Sequence, residues 1–244
     1  MAEQTCIRTL KRLGYIMNMT EQKNIFSASE GDQWFNRNLN SNNANADKND
    51  HIDKTIEILK SIEFFPKKVL EIGCSSGKRL NQIKKAFIAD CWGIDPSSQA
   101  IEAGKKKYLE ISLNVGTADS LPYVDNSFDT IIFGCCLYLC DRKDLFKIAY
   151  EADRCLKNEG TLIVKDFYPT FPYKNKYLHF EGIYSYKMDY SKMFSWNPSY
   201  AEVANVVYSH SGFCLRDVPN EKVTIVVLRK NEHYSYPIEP FKNL

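Results

Sequence analysis

The sequence contains few of the features that mark a metal site, a disulfide framework or a membrane segment. Its eight cysteines form no Cys-x-x-Cys pair, and no His-x-x-x-His motif accompanies them, so a zinc site is not expected. The longest apolar run covers residues 131–140, about half the length that a bilayer-spanning helix needs. No apolar segment follows the basic residues near the N-terminus, so no secretory signal is predicted. We therefore expect a cytoplasmic protein with reduced thiols and no membrane partner.

The sequence also lacks an excess of charge of one sign. It has 32 Lys and Arg against 30 Asp and Glu, a net charge of +2 at pH 7. Nucleic-acid-binding domains usually carry a strong basic patch, so no nucleic acid partner is predicted. Hydrophobic residues make up 44% of the 244 residues, which is ordinary for a globular protein. This length suits one α/β domain with an appended element.

Composition divides the chain into three predicted parts. Residues 1–48 form an N-terminal extension with a lid segment, and asparagine dominates residues 36–49, which predicts a flexible surface loop. Residues 49–230 form the main domain, with an insertion at about 167–198. Residues 231–244 form a C-terminal tail.

Apolar strand patterns alternate with amphipathic helix patterns through the main domain. The predicted strands are 69–72, 91–94, 112–115, 128–135 and 161–167. The predicted helices between them are 78–87, 97–108 with a serine cap, and 141–156, which ends before Asn158-Glu159-Gly160. This alternation predicts a doubly wound, Rossmann-like α/β sheet that is mostly parallel.

The last part of the domain departs from this alternation. Residues 199–210 are predicted to form a helix, and residues 213–218 and 222–228 two strands joined by Pro219-Asn220-Glu221. Two strands this close in sequence must be antiparallel. The sheet is therefore predicted to end in an antiparallel hairpin.

The stretch VLEIGCSSGK, residues 69–78, fits two different templates. As a Gly-x-Ser-x-Gly elbow it would present Ser75 as the nucleophile of a hydrolase, with His179, His210 or His233 as the base. That fold builds several strands and a glycine-rich oxyanion loop before its nucleophile, and neither is found here.

The other template is a glycine loop that holds a cofactor at the carboxyl end of the first strand. Asp95 ends the next strand, 22 positions after Gly73, where a carboxylate suits a ribose diol. An NAD site wants Gly-x-Gly-x-x-Gly, but Ser75 occupies the second glycine position. This pattern alone leaves a dinucleotide and another adenosine cofactor open.

Four segments in order resemble motifs of the class I S-adenosylmethionine-dependent methyltransferases. They are VLEIGCSSGK (69–78), GIDPS (93–97), GTADSLPYVDNSFDTIIFGCCLYLC (116–140) and CLKNEGTLIVKD (155–166). The resemblance covers roughly residues 50–230. It implies S-adenosylmethionine as the cofactor, with S-adenosylhomocysteine as the product.

The resemblance also implies the residues that bind this cofactor. Glu71 would order its amino end, Asp95 its ribose and Asp119 its adenine amino group. The backbone of Cys135 would face the sulfonium. The full implied set is Glu71, Gly73, Cys74, Ser75, Gly77, Asp95, Pro96, Ala118, Asp119, Ser120 and Cys135. Alternatively, Asp119 and Ser120 belong to a plain turn.

The segment SEGDQWFNRN, residues 29–38, resembles a lid found in small-molecule methyltransferases, often among enzymes of bacterial surface-glycan biosynthesis. In that interpretation Trp34 covers the site, and Arg37 binds the cofactor carboxylate through a forked hydrogen bond. The alternative is a surface helix with one buried Trp.

Residues 166–200 are crowded with aromatic residues and lysine, and are too long for a simple connection. They predict a pocket for a small-molecule acceptor, such as a sugar or nucleotide sugar, whose phosphates Lys174, Lys176 or Lys187 could bind. Alternatively, the aromatics pack on the sheet or form a homodimer contact.

Methyl transfer to a hydroxyl requires a base near neutral pKa. His179 and Tyr186 are the predicted catalytic residues, with Tyr184 and Asp189 as further candidates. Magnesium is not implied, because no carboxylate cluster is placed for it.

We therefore predict methyl transfer to a hydroxyl or amine of a sugar or sugar nucleotide in surface-glycan biosynthesis. Three alternatives remain open: a methyltransferase acting on RNA or protein, a non-catalytic S-adenosylmethionine-binding subunit, and the Ser75 hydrolase. An Asn-Pro-Pro-Tyr motif, common where a planar amino group is methylated, is replaced by Gly-Cys-Cys-Leu at 134–137.

Overall fold

The computed structural model describes residues 21–43, 53–209, 218, 220–233 and 235–238. Its strands are β1 Lys68–Ile72, β2 Asp90–Asp95, β3 Ser112–Val115, β4 Phe128–Gly134, β5 Leu156–Phe167, β6 Tyr173–Lys176, β7 Tyr184–Lys187, β8 Tyr200–Ser209 and β9 Lys222–Lys230. Its α-helices are α1 Gln22–Ile25, α2 Gly31–Asn43, α3 Lys54–Ser61, α4 Lys78–Phe87, α5 Ser98–Lys107, α6 Leu145–Cys155 and α7 Lys192–Ser195. A π-helical turn, Phe26–Glu30, joins α1 to α2.

Seven of these strands form one sheet in the order β3-β2-β1-β4-β5-β9-β8. The first five are parallel, whereas β9 is antiparallel to both β5 and β8. This confirms the predicted doubly wound sheet with an antiparallel end. The strand order reverses between β1 and β4, and open sheets of this kind bind ligands at such a point, outside the carboxyl ends of the strands.

Both faces of the sheet are covered by apolar cores. On one face α3, α4 and α5 contribute Ile56, Leu80 and Ile101. On the other face α6 and α7 contribute Ile148 and Phe194. Burial on both faces explains why β4 is almost continuously apolar in sequence. The core therefore lies within the sheet sandwich and leaves the carboxyl edge for polar chemistry.

Helix termini follow the capping signals in the sequence. The Ser97 side chain accepts a hydrogen bond from the Ala100 amide at 3.0 Å, which confirms the predicted serine cap of α5. Asp53 caps α3 through the Thr55 amide. The helix predicted at 141–156 begins later, at Leu145, after a 3₁₀ turn at Arg142–Asp144.

Two secondary-structure predictions were wrong. Most of the predicted helix 199–210 is strand β8, Tyr200–Ser209, because β8 pairs along its length with β9, and β-branched Val203, Val206 and Val207 suit a strand. Among the described residues, the partners of β9 are β5 and β8. Most of 213–218 lies outside the described residues.

The asparagine-rich segment was the second error. Residues 36–43 continue helix α2, and residues 44–49 lie outside the described residues. The helix forms against its composition because side chains earlier in α2 pack on the domain, and tertiary contacts override weak propensity.

The insertion between β5 and β8 holds the two-stranded sheet of β6 and β7 and the short helix α7. Several of its aromatics pack inward. Tyr190 and Phe194 are buried in the core beside α6, as the alternative interpretation expected for part of the segment. No helix in the described ranges is long and apolar enough to cross a membrane.

Ile88 offers a test of backbone strain at the end of α4. It has φ 57°, and its side chain is 92% exposed. A β-branched residue is strained in this left-handed conformation, whereas glycine is not. We expect Ile88→Gly to raise the free energy of unfolding by about 1 kcal/mol in chemical denaturation.

The matched control is Leu109→Gly. Leu109 is 86% exposed and is not among the described residues with positive φ, so the same change should give no stabilisation there. Equal effects at the two positions would contradict the strain at Ile88.

Candidate functional site

The loop after β1 depends on glycine at two positions. Gly73 and Gly77 have φ of 76° and 77°, and a Cβ added to Gly73 would lie 2.6 Å from the Cys136 Cβ. The Gly73 amide donates to the Ile94 carbonyl at 2.9 Å, which ties the loop to β2. The Cys136 side chain therefore leaves no space for a side chain at Gly73.

Asp95, at the end of β2, holds this loop and the next helix at once. One carboxylate oxygen accepts the Ser75 amide at 2.8 Å, and the other accepts the Ser97 amide at 2.9 Å. Burial raises the pKa of Asp95 above its usual range despite these hydrogen bonds. The bond to Ser75 supports the left-handed φ of 49° at that residue. Asp95 and Pro96, both in the implied cofactor-binding set, line a cavity above the sheet.

Asp119 follows β3 and lines the same cavity together with Ala118. Its carboxylate accepts the Lys23 ammonium at 2.8 Å. Burial alone would raise the pKa of Asp119, but its hydrogen bonds, chiefly from Lys23, lower the pKa below its usual range. Ser120 is exposed on the turn and does not line the cavity, so only the first two members of the predicted group face it.

The backbone after β4 is fixed by two charged side chains. The Asp166 carboxylate accepts the Leu137 amide at 3.0 Å, and Arg142 donates to the Leu137 carbonyl at 2.6 Å. Cys135 has φ 59°, and its amide donates to the Lys165 carbonyl. Such strain in a non-glycine residue persists only where its surroundings impose it, and it concentrates at functional sites.

A lid formed by α1, the π-helical turn and α2 closes over this loop. Phe26, Gly31 and Trp34 line the cavity from above. A Cβ on Gly31 would lie 2.7 Å from the Phe26 carbonyl oxygen, so the lid packs tightly at this point. We call the space between lid and sheet the cofactor cavity. It has a volume of about 900 Å³, which includes the solvent at its open mouth.

Carboxylates cap helices across the lid boundary in both directions. Asp141, from the loop after β4, accepts the Gln22 and Lys23 amides of the lid at 3.0 and 2.9 Å. Asp32, from the lid, accepts the Ser97 hydroxyl at 2.6 Å and the Gln99 amide at 3.0 Å at the start of α5. The lid is therefore attached to both sides of the cofactor cavity.

A second cavity adjoins the first, and we call it the polar cavity. The two share Trp34, Gly73, Ser75, Gly134 and Cys135. The polar cavity extends toward α3 and α4, and its other lining residues are Phe35, Asn38, Leu39, Asp53, Glu71, Cys74, Ser76, Lys78, Arg79, Gln82 and Lys165.

Four charged side chains meet at the base of the polar cavity. The Asp53 carboxylate accepts a hydrogen bond from Arg79 at 3.0 Å and one from Lys165 at 2.9 Å. Arg79 also forms an ion pair with Glu71. Although burial alone would raise the pKa of Asp53, the two cations hold it well below its usual range. Burial raises the pKa of Glu71 to about 7. The Glu71 Oε2 atom is buried and accepts no hydrogen bond from the described residues.

Among the lid residues, the structure brings Trp34 to both cavities but not Arg37. Arg37 pairs with the buried Glu30 and lies 3.1 Å from the Tyr177 hydroxyl. Sequence reasoning also missed Lys23. Lys23 lies before the predicted lid segment 29–38, and its partner Asp119 lies 96 positions away.

The residues predicted for catalysis lie away from both cavities. His179 is exposed, and its ring lies edge-on to Tyr177 at 5.5 Å. The Arg142 guanidinium lies over the Tyr186 ring, 4.5 Å from the centroid of that ring. No residue of the described insertion at 167–198 lines either cavity.

The lysines predicted for phosphate are also engaged or distant from the cavities. Lys187 is buried, donates to Asn220 and lies 3.6 Å from the Phe167 ring centroid. Desolvation lowers the pKa of Lys187. Lys174 lies over the Tyr184 ring at 4.4 Å.

The structure gives no support to the Ser75 elbow. The described histidines, His179 and His233, do not line either cavity, and the Ser75 amide is held by Asp95. No group of three or more His, Cys, Asp or Glu in the described ranges could hold a metal ion.

Comparisons with known proteins agree with this architecture. Residues 69–160 match a family described as "Methyltransferase domain". The demethylmenaquinone methyltransferase of Thermotoga maritima is 31% identical over 119 residues, which are 48% of this chain and 49% of that protein. The ajmaline N-methyltransferase of Rauvolfia serpentina is 27% identical over 106 residues, 41% of this chain and 35% of that protein. The chain thus spans half or less of the length of these relatives.

Solved structures share the fold. The N-methyltransferase NodS from Bradyrhizobium japonicum, in complex with S-adenosylhomocysteine, has a TM-score of 0.60 at 18% identity, covering 82% of this chain and 98% of that chain. The YcgJ protein from Bacillus subtilis has a TM-score of 0.54 at 18% identity, covering 72% and 97%. The predicted Rossmann-like methyltransferase fold is therefore confirmed.

The lid attachment through Asp32 can be tested by hydrogen exchange. Asp32→Ala removes the acceptor of the Ser97 and Gln99 hydrogen bonds. Because loss of a cap costs about 1 kcal/mol, we expect deuterium uptake in peptides covering 22–39 to accelerate roughly five- to tenfold. Asp90→Ala, an exposed acid at the start of β2, is the control. Unchanged uptake in the Asp32 variant would show that other contacts hold the lid.

Proposed function

We propose that this chain is an S-adenosylmethionine-dependent methyltransferase that acts on a hydroxyl or amine of a small polar acceptor. The observation that carries the proposal is the cofactor cavity itself. A glycine loop and two carboxylates, Asp95 and Asp119, line one cleft at the carboxyl edge of the sheet, under a lid. The family match at 69–160 covers this glycine loop and both acids.

The residues present fit the cofactor, which is S-adenosylmethionine. Gly73 lines the cofactor cavity with backbone atoms alone, and the unpartnered Glu71 Oε2 offers an acceptor for an ammonium group. Asp95 and Pro96 would hold the ribose, and Ala118 and Asp119 the adenine. The bound cofactor supplies an electrophilic methyl group on a sulfonium.

The chain contributes positioning and the exclusion of water. Phe26 and Trp34 cover the cavity, and an enclosed site favours attack by the acceptor over side reactions. The rigid backbone at Cys135 forms the boundary between the two cavities, where a nucleophile in the polar cavity would meet the donor side. Most of the rate gain for such an in-line attack comes from this positioning.

The acceptor we propose remains a sugar or nucleotide sugar, as the lid segment 29–38 suggested. Its support now comes from the polar cavity, where Asn38, Gln82 and Lys78 stand near the charged cluster and suit a hydroxyl-rich ligand. The relatives are named for quinone and alkaloid acceptors, so an apolar planar acceptor is the second candidate. Trp34, which lines both cavities, is the observation that favours it.

The first test is calorimetric titration with S-adenosylhomocysteine and with NAD. We expect micromolar binding of the first and none of NAD. Asp95→Ala should weaken S-adenosylhomocysteine roughly 10- to 100-fold, because hydrogen bonds to a charged group contribute about 1.5–3 kcal/mol.

Asp90→Ala is the matched control, since this exposed acid lies at the opposite end of the same strand and should bind like the wild type. Tight binding of NAD, or no binding of either ligand, would overturn the proposal.

A second test uses the pKa of Glu71. An ammonium group favours the ionised carboxylate, so a pKa of about 7 in the free protein should make binding weaker below pH 7. We expect the affinity for S-adenosylhomocysteine to rise roughly tenfold from pH 6 to pH 8, the ratio of ionised fractions for one group of this pKa. Asp53, Arg79, Lys165 and Asp95 also face Glu71.

Glu71→Gln should bind more weakly and lose this pH dependence. Asp166→Asn should keep it, although burial also raises the pKa of Asp166 to about 7, because Asp166 lines neither cavity. A pH dependence that survives in Glu71→Gln would assign it to another group.

A further inference from the structure

Two cations stand side by side in the polar cavity with a single carboxylate oxygen between them. The Asp53 Oδ2 atom accepts the Arg79 Nε atom at 3.0 Å and the Lys165 Nζ atom at 2.9 Å. Both cations are mostly buried, with about 15% of each side chain exposed, and both line the cavity. Burying two cations is costly unless opposite charge compensates them.

The fold brings these groups together from three elements. Asp53 caps α3, and its Oδ1 atom is used by the Thr55 amide, so its Oδ2 atom is left for the cations. Arg79 lies in the first turn of α4, and Lys165 lies near the end of β5. Their meeting point is therefore set by the backbone.

The polar cavity is lined by three cations, Lys78, Arg79 and Lys165, and by two acids, Asp53 and Glu71. Its second acid is Glu71, whose pKa of about 7 leaves it only partly ionised at neutral pH. A guanidinium has five N–H donors and an ammonium three, and the bonds to Asp53 and Glu71 use three of these eight. The cations can therefore donate to a further anion in the cavity.

We propose that Arg79 and Lys165 form a carboxylate-binding subsite. The polar cavity meets the cofactor cavity at Gly73, where the amino-acid end of the cofactor would emerge. The unpartnered Glu71 Oε2 atom, on the same wall, complements an ammonium. Glu71 would accept hydrogen bonds from an ammonium, and Arg79 and Lys165 would donate to a carboxylate. Together they suit the two charges of an α-amino acid. This assignment builds on the proposed function and gives to Arg79 and Lys165 the role predicted for Arg37, which pairs with Glu30.

The carboxylate that this subsite binds can come from two sources, the amino-acid end of the cofactor or an acid group on the acceptor. Calorimetry with S-adenosylhomocysteine and with 5′-methylthioadenosine, which lacks the amino-acid end, distinguishes them. For Lys165→Met we expect S-adenosylhomocysteine to bind 10- to 100-fold more weakly, and 5′-methylthioadenosine to change less than twofold. Lys165→Arg should restore most of the affinity.

The control is Lys85→Met, an exposed lysine on the same helix as Arg79, which should leave both affinities unchanged. Thermal unfolding of each variant checks that it is folded. Arg79→Lys, which keeps the charge but loses the fork, provides a second test should Lys165→Met fail to fold, and should weaken S-adenosylhomocysteine selectively.

The acceptor source is tested by saturation-transfer NMR with glucuronate on the protein loaded with S-adenosylhomocysteine. Unchanged S-adenosylhomocysteine binding in Lys165→Met, with loss of the glucuronate signal, would support the subsite and assign it to the acceptor. If Lys165→Met changes neither ligand, the subsite is overturned.

A failure of the proposed function gives a different result. In that case the wild-type protein itself binds neither S-adenosylhomocysteine nor 5′-methylthioadenosine. The subsite is then tested by glucuronate on the free protein, and absence of a signal there overturns it as well.

Discussion

The hydrogen bonds of the Asp95 carboxylate to the Ser75 and Ser97 amides are the constraint on which the rest of the site depends. The first bond holds the glycine loop in a left-handed conformation that Ser75 would not adopt alone. The second fixes the start of α5, where the Ser97 hydroxyl donates to Asp32 and attaches the lid. A single acid thus joins the floor, one wall and the roof of the cofactor cavity. Its burial is costly, and the backbone amides offset that cost while leaving lone pairs for a ligand.

Charge is distributed unequally between the two cavities. In the cofactor cavity, Lys23 pairs with Asp119 and Asp144, and lid amides donate to Asp141. The contacts that hold the lid on the domain therefore also compensate the negative charge of these acids. The polar cavity is lined by three cations, Lys78, Arg79 and Lys165, and two acids, and one carboxylate oxygen of the acid Glu71 has no partner among the described residues. Buried charge of this kind adds little to stability.

The insertion lines neither cavity, although its composition predicted an acceptor pocket there. Its aromatic side chains serve mainly as structure: Tyr190 and Phe194 join the core, and Tyr186 packs under Arg142. Arg142 in turn holds the backbone that lines the cofactor cavity. The insertion therefore stabilises the backbone of the site through Arg142 and does not contact the cavity itself. We propose the polar cavity as the acceptor's place, and its hydrogen-bonding groups come from the lid, α3, α4 and β5.

The sequence by itself determined the parallel sheet, because strands buried on both faces leave unbroken apolar runs between amphipathic helices. It also determined the glycine loop and Asp95, since these residues act near their own position in the chain and carry a local pattern. Only the tertiary structure decided the rest. Residues 200–209 form a strand because β9 is available to pair with them. Arg37 was taken by Glu30, and Lys23 met Asp119, 96 positions away. The Asp53, Arg79 and Lys165 cluster unites three elements and has no signature in any one segment. Such pairings depend on which side chains the fold brings within hydrogen-bonding distance, and local periodicity carries no information about that.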